Sequence, residues 1–393
     1  MRLLFVAMSE SVHTARWIRQ LDGLGYEIHL FPSVPSSRLH PLLHGKVVFH
    51  PQVSASCSGP GSRGLPGPHP LAAAAANLLI DKFFPQHHQN RLVALIKKLK
   101  PDLVHSLELQ AAGYLSLEAK QRLGSRFPRW LVSNWGSDVY LFGQLPEHRR
   151  RLRALLEQCD YYLCECQRDI ALARSLGLGD QPSAVIPGGG GMPLGKLAAW
   201  RAQPPSRRKR ILLKGYQGWA GRALCGLRAV ELMADCLQDF ELVLYLATAE
   251  VELKARLLAE SSGLKVRLVP AASHDTMLQL HGQARVSLGL SISDGASTSF
   301  LEALAMGSFP VQSHTACADE WVVDGVTGLL VPPEDPQLIA QALQRAVQDD
   351  ELVDSAARLN QQVVEERLEA NLVRARVAAL YQSMEPTTPP FGK

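Results

Sequence analysis

The chain has 393 residues, 46% of them hydrophobic and 20% charged, which is ordinary globular usage and excludes disorder of the whole chain. A chain of this length exceeds one ordinary core and predicts two domains. Its net charge of +4 is too small for a nucleic-acid binder, and no motif of that class is visible, so nucleic acid is not an expected partner.

Arg2–Ala7 reads as a short, buried, near-continuous apolar strand. Ser11-Val12-His13-Thr14 then opens a helix with Trp17, Ile18, Leu21 and Leu24 at helical spacing, and Gly25 is placed to end it. Tyr26–Phe31 is the next strand, completing the strand–helix–strand unit of a parallel sheet. Residues 51–70, rich in Ser, Gly and Pro, read as a mobile surface loop. Strands follow at Asp102–Ser106, Trp130–Ser133, Tyr161–Cys164 and Ala184–Ile186, with helices between them. The pair His87-His88 and the run His148–Arg153 read as solvated surface. Pro187–Gly191 closes the first half, either as a hinge or as a place where backbone approaches a ligand, and residues 192–208 read as a linker.

The second half alternates again, with strands at Ile211–Leu213, Leu242–Tyr245, Val266–Leu268, Val286–Leu290, Phe309–Gln312 and Gly328–Val331. A helical tail runs from about residue 337 to Met384, and Pro386–Lys393 is expected to fray. The rhythm predicts an α/β fold of two Rossmann-like, doubly wound parallel-sheet domains facing a cleft. The divisions are an N-terminal domain over 1–192, a C-terminal domain over 193–375 and a helix end and tail over 376–393. No G-x-G-x-x-G follows the first strand, which counts against a dinucleotide dehydrogenase.

Residues 1–190 carry 21 Lys and Arg against 14 Asp and Glu, and the remainder carries 20 against 23. The basic half favours an anionic ligand or peripheral contact with a membrane surface. Seven cysteines, an odd number without a C-x-x-C pair, fit reduced thiols and a cytoplasmic location. The apolar start ends at Met8, too short for a signal-peptide core, and no stretch of about 18 apolar residues is present to span a membrane.

The segment Ser291–Gly307 reads SISDGASTSFLEALAMG. A strand ends in a polar loop that turns at Gly295, passes Ser297, Thr298 and Ser299, and enters an apolar helix. The first N–H groups of a helix have no intrahelical partner, so this turn is a cradle for phosphate. Glu302, one turn into the helix, can accept hydrogen bonds from a ribose, and Asp294 from the hydroxyls of a sugar, since a carboxylate offers two acceptor oxygens. Read alone, the two carboxylates are equally a helix cap and a solvated helix residue.

The same segment resembles the E-x7-E motif of retaining glycosyltransferases of family 4, which have the GT-B fold. The continuation Gly307–Ser313, then Glu320 and Asp324–Val331, is similar to that family's C-terminal signature, and Ser11–Trp17 and Trp135–Asp138 to features of one of its branches. The resemblance implies a nucleoside diphosphate sugar held by the second domain, with Glu302 on the ribose, Asp294 on the donor sugar, and Gly295, Ser297, Thr298 and Ser299 around the diphosphate. Asp294 stands where the family usually has Glu. Lys214 and Arg222 stand in place of its usual Arg and Lys pair, and Arg222 suits a diphosphate better because a guanidinium binds two oxygens at once. Trp135 falls where many members have a histidine.

On the acceptor side the candidates are Ser11, His13 and Trp135, with Asp138 and His105 as candidate catalytic groups. Asp138 is equally a helix N-cap, His105 equally a polar strand end, and His13 equally a packing partner of Trp17. No metal-binding D-x-D pair is visible, so no metal or cofactor is expected and cation work falls to Lys, Arg and helix N-termini. The expected reaction is transfer of a hexose, with retention, to a hydroxyl of a glycan, a lipid-linked glycan or a small molecule, in polysaccharide or glycoconjugate biosynthesis. The alternatives are a nucleotide-sugar epimerase of the same fold and a nucleotide-sugar-binding partner subunit with little catalysis.

Overall fold

A computed structural model describes residues 1–51, 86–201 and 203–385. The expected 51–70 loop, apart from its first residue, and the expected frayed tail Pro386–Lys393 lie outside the described residues. The chain forms two compact units, one of residues 1–190 with the chain from Arg374 onward, the other Gly191–Val373.

In the first unit, strands β1 (Arg2–Ala7), β2 (Glu27–Pro32), β3 (Val48–Phe49), β4 (Leu103–Leu107), β5 (Arg129–Ser133), β6 (Tyr161–Cys164) and β7 (Ser183–Val185) form one sheet in the order β3-β2-β1-β4-β5-β6-β7. Every pairing is parallel. A parallel sheet is covered on both faces, which is why Leu3 to Ala7 are all fully buried. Helices α1 (Val12–Arg19), α2 (His87–Leu99), α3 (Tyr114–Leu123), α4 (Ser137–Tyr140), α5 (Pro146–Leu156) and α6 (Gln167–Ser175) lie between the strands in sequence. The core of this unit joins Leu4, Val6, Val104, Trp130 and Val132 to Leu92, Leu152 and Tyr162.

Three features depart from the sequence reading. The two-residue β3 was not expected, being too short to show a period, and it pairs with β2 at His29 and Leu30. Helix α1 stops at Arg19 rather than near Gly25, and the following turn carries Leu21 into the core. His88 is not solvated: it is buried, its Nε2 lies 2.9 Å from the Pro32 carbonyl, and its ring packs on Phe31.

The second unit holds β8 (Arg210–Lys214), β9 (Glu241–Tyr245), β10 (Lys265–Val269), β11 (Val286–Gly289), β12 (Phe309–Ser313) and β13 (Leu329–Val331), in the order β10-β9-β8-β11-β12-β13, again all parallel. Its helices are α7 (Leu194–Leu197), α8 (Ala223–Leu232), α9 (Ala249–Ser262), α10 (His274–Gln283), α11 (Thr298–Ala305), α12 (Pro336–Gln348) and α13 (Asp350–Arg367). One face of the sheet packs Leu213, Leu244 and Leu288 against Leu227, Val230 and Leu343. The segment read as a linker is packed into this unit: Met192, Leu194 and Leu197 are buried with Phe300, Leu304 and Trp321. No helix among the described residues is long and apolar enough to cross a membrane.

A last helix, α14 (Ala370–Gln382), carries the chain back to the first unit. Its Tyr381 is fully buried there. The Trp17 indole N–H donates to the Tyr381 hydroxyl at 2.9 Å, and that hydroxyl lies 2.6 Å from His105 Nδ1. The indole donates to the Tyr381 oxygen, one proton is shared between the Tyr381 hydroxyl and His105 Nδ1, and His105 Nε2 lies 2.6 Å from Ser133 Oγ. Burial pushes His105 down to about 3, so the ring stays neutral in this chain of hydrogen bonds. Tyr381→Phe strands the Trp17 N–H and the His105 Nδ1 in the core, at about 1–3 kcal/mol for each buried group left unsatisfied. The urea midpoint of the variant is therefore expected to fall at unchanged m, and a midpoint equal to the wild type would contradict the assignment.

Candidate functional site

In the second sheet the chain leaves β8 toward one edge and β11 toward the other. The crevice beyond the carboxyl ends of two such strands is where open α/β sheets take ligands. The loops after β8 and β11 meet there as backbone. Gly221 and Ser291 form an antiparallel bridge, Arg222 N donates to Leu290 O at 3.0 Å, and Ile292 N donates to Ala220 O at 2.9 Å. Gly221 has to be glycine, because a Cβ would land on the Tyr216 carbonyl. Residues about 70 apart in sequence, Ala220–Arg222 and Leu290–Ile292, are thereby held side by side, with Asp294 two residues further along the second loop.

Arg222 stands just before α8. Its Nε lies 2.7 Å from Glu334 Oε1, and its Nη1 donates to the Gly218 and Gly221 carbonyls at 3.2 and 2.9 Å. Asp294 is half-buried and its Oδ1 accepts the Gly295 N–H at 2.9 Å. Ser297 occupies the N-cap position of α11 without capping it with its side chain; its hydroxyl is instead 3.0 Å from that of Ser299. Ser299 also bonds the buried Tyr245 hydroxyl at the end of β9.

Glu302 is only 6% exposed. Two histidines of α10 face it. His274 Nε2 lies 2.6 Å from Oε1, and His281 Nε2 lies 3.9 Å from Oε2. His281 is buried and its Nδ1 lies 2.9 Å from Ser287 Oγ. Burial pushes His281 down to about 4, against the opposing pull of Glu302, and the Lys214 charge lowers it further. The sequence reading missed both histidines. The available signal was their spacing of seven, two helical turns, which sets them on one face of a helix.

In the first unit the corresponding crevice lies beyond β1 and β4. Ser11 caps α1, accepting from His13 N at 3.2 Å. The His13 ring meets Trp135 edge-on at 5.8 Å, while Trp17 packs elsewhere, on His105. His105 is seated in the core with both ring nitrogens engaged, which matches the polar strand-end alternative. Asp138 is buried in the first turn of α4, and its Oδ2 accepts Leu109 N at 3.0 Å and Trp135 N at 2.9 Å. It pins two loops together. Gly188 N donates to Glu165 at 3.0 Å, so this glycine serves a protein contact, and a Cβ here would displace the Glu165 carboxylate.

Glu108, directly after β4, was also missed. Its φ is +72 and its ψ is 155, a region close to glycine-only. Its carboxylate accepts the N–H groups of Ala111 and Ala112. A carboxylate immediately after an apolar strand, Leu107-Glu108, was the signal to be found.

Residues 228–363 match the family model described as glycosyl transferases group 1, and residues 82–165 match that described as glycosyl transferase 4-like. No curated protein sequence matches the chain significantly. Similar solved structures include a sucrose-phosphate synthase from Thermosynechococcus elongatus, with 18% identity, a TM-score of 0.70 and 98% of each chain covered. A glycosyltransferase from Rickettsia africae has 14% identity and a TM-score of 0.69, covering 98% of this chain and 99% of that one. Anabaena HepE, solved with UDP-glucose, has 14% identity and a TM-score of 0.68, covering 98% of this chain and all of that one.

Burial first, and the neighbouring Glu108 charge second, push Asp138 up from 3.8 to about 8. A carboxyl raised on folding stabilises fully below its unfolded value, and that contribution is lost as pH rises through the folded one. Asp138→Asn keeps an acceptor oxygen and cannot ionise. Its melting temperature relative to the wild type is therefore expected to climb between pH 4 and pH 8. A flat difference across that window would show that Asp138 is not proton-bearing in the fold.

Proposed function

We propose that this chain, a glycosyltransferase of the GT-B type, moves a hexose with retention from a nucleoside diphosphate sugar to a hydroxyl acceptor in glycan or glycoconjugate assembly. One observation supports the reading: the loops after β8 and β11, joined by a backbone bridge at the switch point, carry Arg222 and Asp294, with Lys214 at the end of β8 and Glu302 on the helix α11 that follows. That is the complement of a diphosphate flanked by two sugars. The presence of UDP-glucose in the Anabaena structure favours a donor of this class.

In this reading Glu302 accepts the ribose hydroxyls and Asp294 those of the donor hexose. Lys214, Arg222 and the first N–H groups of α11, near Thr298 and Ser299, take the diphosphate. As the anomeric C–O bond to phosphate lengthens, positive charge grows on the hexose and negative charge on the leaving diphosphate, which those donors would stabilise. The acceptor oxygen bonds to the anomeric carbon from the face the diphosphate leaves, and its proton passes to a phosphate oxygen. The scheme uses no metal and no protein nucleophile. On the first unit, His13 and Trp135 offer an aromatic edge to an acceptor, while His105 and Asp138 act through the scaffold.

Asp294→Ala is expected to lower turnover by about 10²–10³-fold, with nucleoside diphosphate affinity retained in calorimetry. Near-wild-type turnover would reject the role of Asp294.

The Arg222–Glu334 pair favours a second reading, in which this cation is withheld and the chain binds nucleotide sugar with little catalysis. Glu334→Gln releases Arg222. Tightening of donor KM by up to about fivefold, the scale of an exposed ion pair, is expected if Arg222 serves the diphosphate. Donor binding without turnover across a panel of acceptors, in the wild type and in this variant, would select the second reading.

A further inference from the structure

We propose that α9 (Ala249–Ser262) carries a self-complementary surface through which a second copy of this chain binds across a two-fold axis. A helix lying on a sheet turns one apolar stripe to the core and keeps a polar face outside. Helix α9 has that stripe: Val251, Ala255 and Leu258 are buried in the core of the second unit. Its outer face is apolar as well. Leu253 is 61% exposed and Leu257 is 55% exposed. With Ala249, also exposed, they follow one another at intervals of four and form one ridge on the side away from the core. Two leucines one turn apart on an exposed ridge make a patch, unlike apolar residues scattered singly over a surface.

The charges on the flanks of the ridge identify what covers it. Glu250 stands three residues before Leu253 and Arg256 three residues after it. At 3.6 residues per turn they fall on opposite sides of the ridge, the anion on one flank and the cation on the other. Both are exposed. Six positions apart, they are too distant along the helix to pair with each other. Neither forms an ion pair among the described residues; Glu250 accepts from the Thr248 hydroxyl at 3.5 Å. Elsewhere on the same helix, Lys254 is matched by Glu231 at 3.1 Å.

Ridges of residues four apart interdigitate when two helices cross at about −50°, the commonest crossing in globular proteins. A two-fold axis running along the Ala249–Leu253–Leu257 ridge generates that crossing. It sets each leucine beside its counterpart in the second copy. It also exchanges the two flanks, so Glu250 of each copy faces Arg256 of the other, and the contact is made twice. In an isologous contact each residue must find its complement on an identical surface. Opposite charges spaced equally about a central leucine meet that requirement. One helix face buries less than a standard interface of about 1,600 Å², so the dimer is expected to dissociate on dilution.

The test is sedimentation velocity of the full chain between about 1 and 300 μM, a range suited to a small interface. The wild type is compared with Glu250→Arg, with Arg256→Glu and with a double variant, Leu253→Asp with Leu257→Asp. The wild type is expected to pass from monomer to dimer across the series. The leucine double variant is expected to stay monomeric at an unchanged melting temperature, since both side chains already face solvent. Each single reversal turns two attractions into repulsions and is expected to raise the dimer Kd by about tenfold. Mixing Glu250→Arg with Arg256→Glu in equal amounts is expected to restore the dimer at about the wild-type Kd. In that mixture one copy carries cations on both flanks and the other anions on both. Glu250 and Arg256 are exposed, so this arm decides whether or not the leucine variant is stable. A wild type that stays monomeric throughout overturns the proposal. So does a dimer that survives the leucine double variant, which must be built on another surface. A dimer that ignores the single reversals, or is not recovered on mixing, overturns the two-fold pairing and leaves α9 to a partner of a different kind.

Discussion

The functional reading depends on a short piece of antiparallel backbone pairing beside an all-parallel sheet. Strands β8 and β11 are neighbours, yet their loops head toward opposite edges of the sheet. Left alone, the loops would part and the crevice between them would be floored by solvent. The bonds from Arg222 N to Leu290 O and from Ile292 N to Ala220 O close that gap. They are main-chain bonds, indifferent to which side chains the loops carry, provided that residue 221 has none. The side chains at Lys214, Arg222 and Asp294 can therefore be chosen without loss of the frame.

The two units use buried carboxylates in opposite ways. In the first, Glu108 and Asp138 are satisfied by backbone N–H groups of Ala111, Ala112, Leu109 and Trp135. Their acceptor capacity goes into shaping the strand ends, at the expense of a backbone conformation at Glu108 that non-glycine residues seldom adopt. In the second, Glu302 is faced by side chains, His274 and His281, with the Lys214 charge nearby. Side-chain partners can turn or move aside, whereas a loop backbone moves only at the cost of the fold. A carboxylate meant to exchange partners with a ligand belongs in the second setting.

That contrast explains what could be read from the sequence. The parallel strands are apolar runs bounded by turns, so their positions were legible to within a residue or two, except β3, whose two residues show no period. The motif around Asp294 and Glu302 was legible because its residues are contiguous. Tyr381 was invisible: it meets Trp17 and His105 across separations of 364 and 276 residues, and nothing local marks a tyrosine as the partner of a distant histidine. His274 and His281 lie on a helix whose polar face looks ordinary until Glu302 of another element is set beside it. The long apparent helix at the end resolves into α12, α13 and α14, because the capping residues Asp349 and Glu369 interrupt a continuous helical period.

Seen as electrostatics, two of the charged groups at this site already have protein partners. Arg222 is matched by Glu334, and Glu302 by the His274 N–H. A diphosphate arriving at Arg222 replaces one anion by another, and a ribose at Glu302 shares a carboxylate that already accepts a proton. In the proposed reaction, donor binding is thus an exchange of partners, and each gain is offset by the contact it loosens. The charge developing on the leaving group has no such counterpart in the resting state. Lys214, Arg222 and the α11 terminus would therefore act more strongly on the departing diphosphate than on the bound donor. That difference lowers a barrier, whereas tight binding of the donor alone does not.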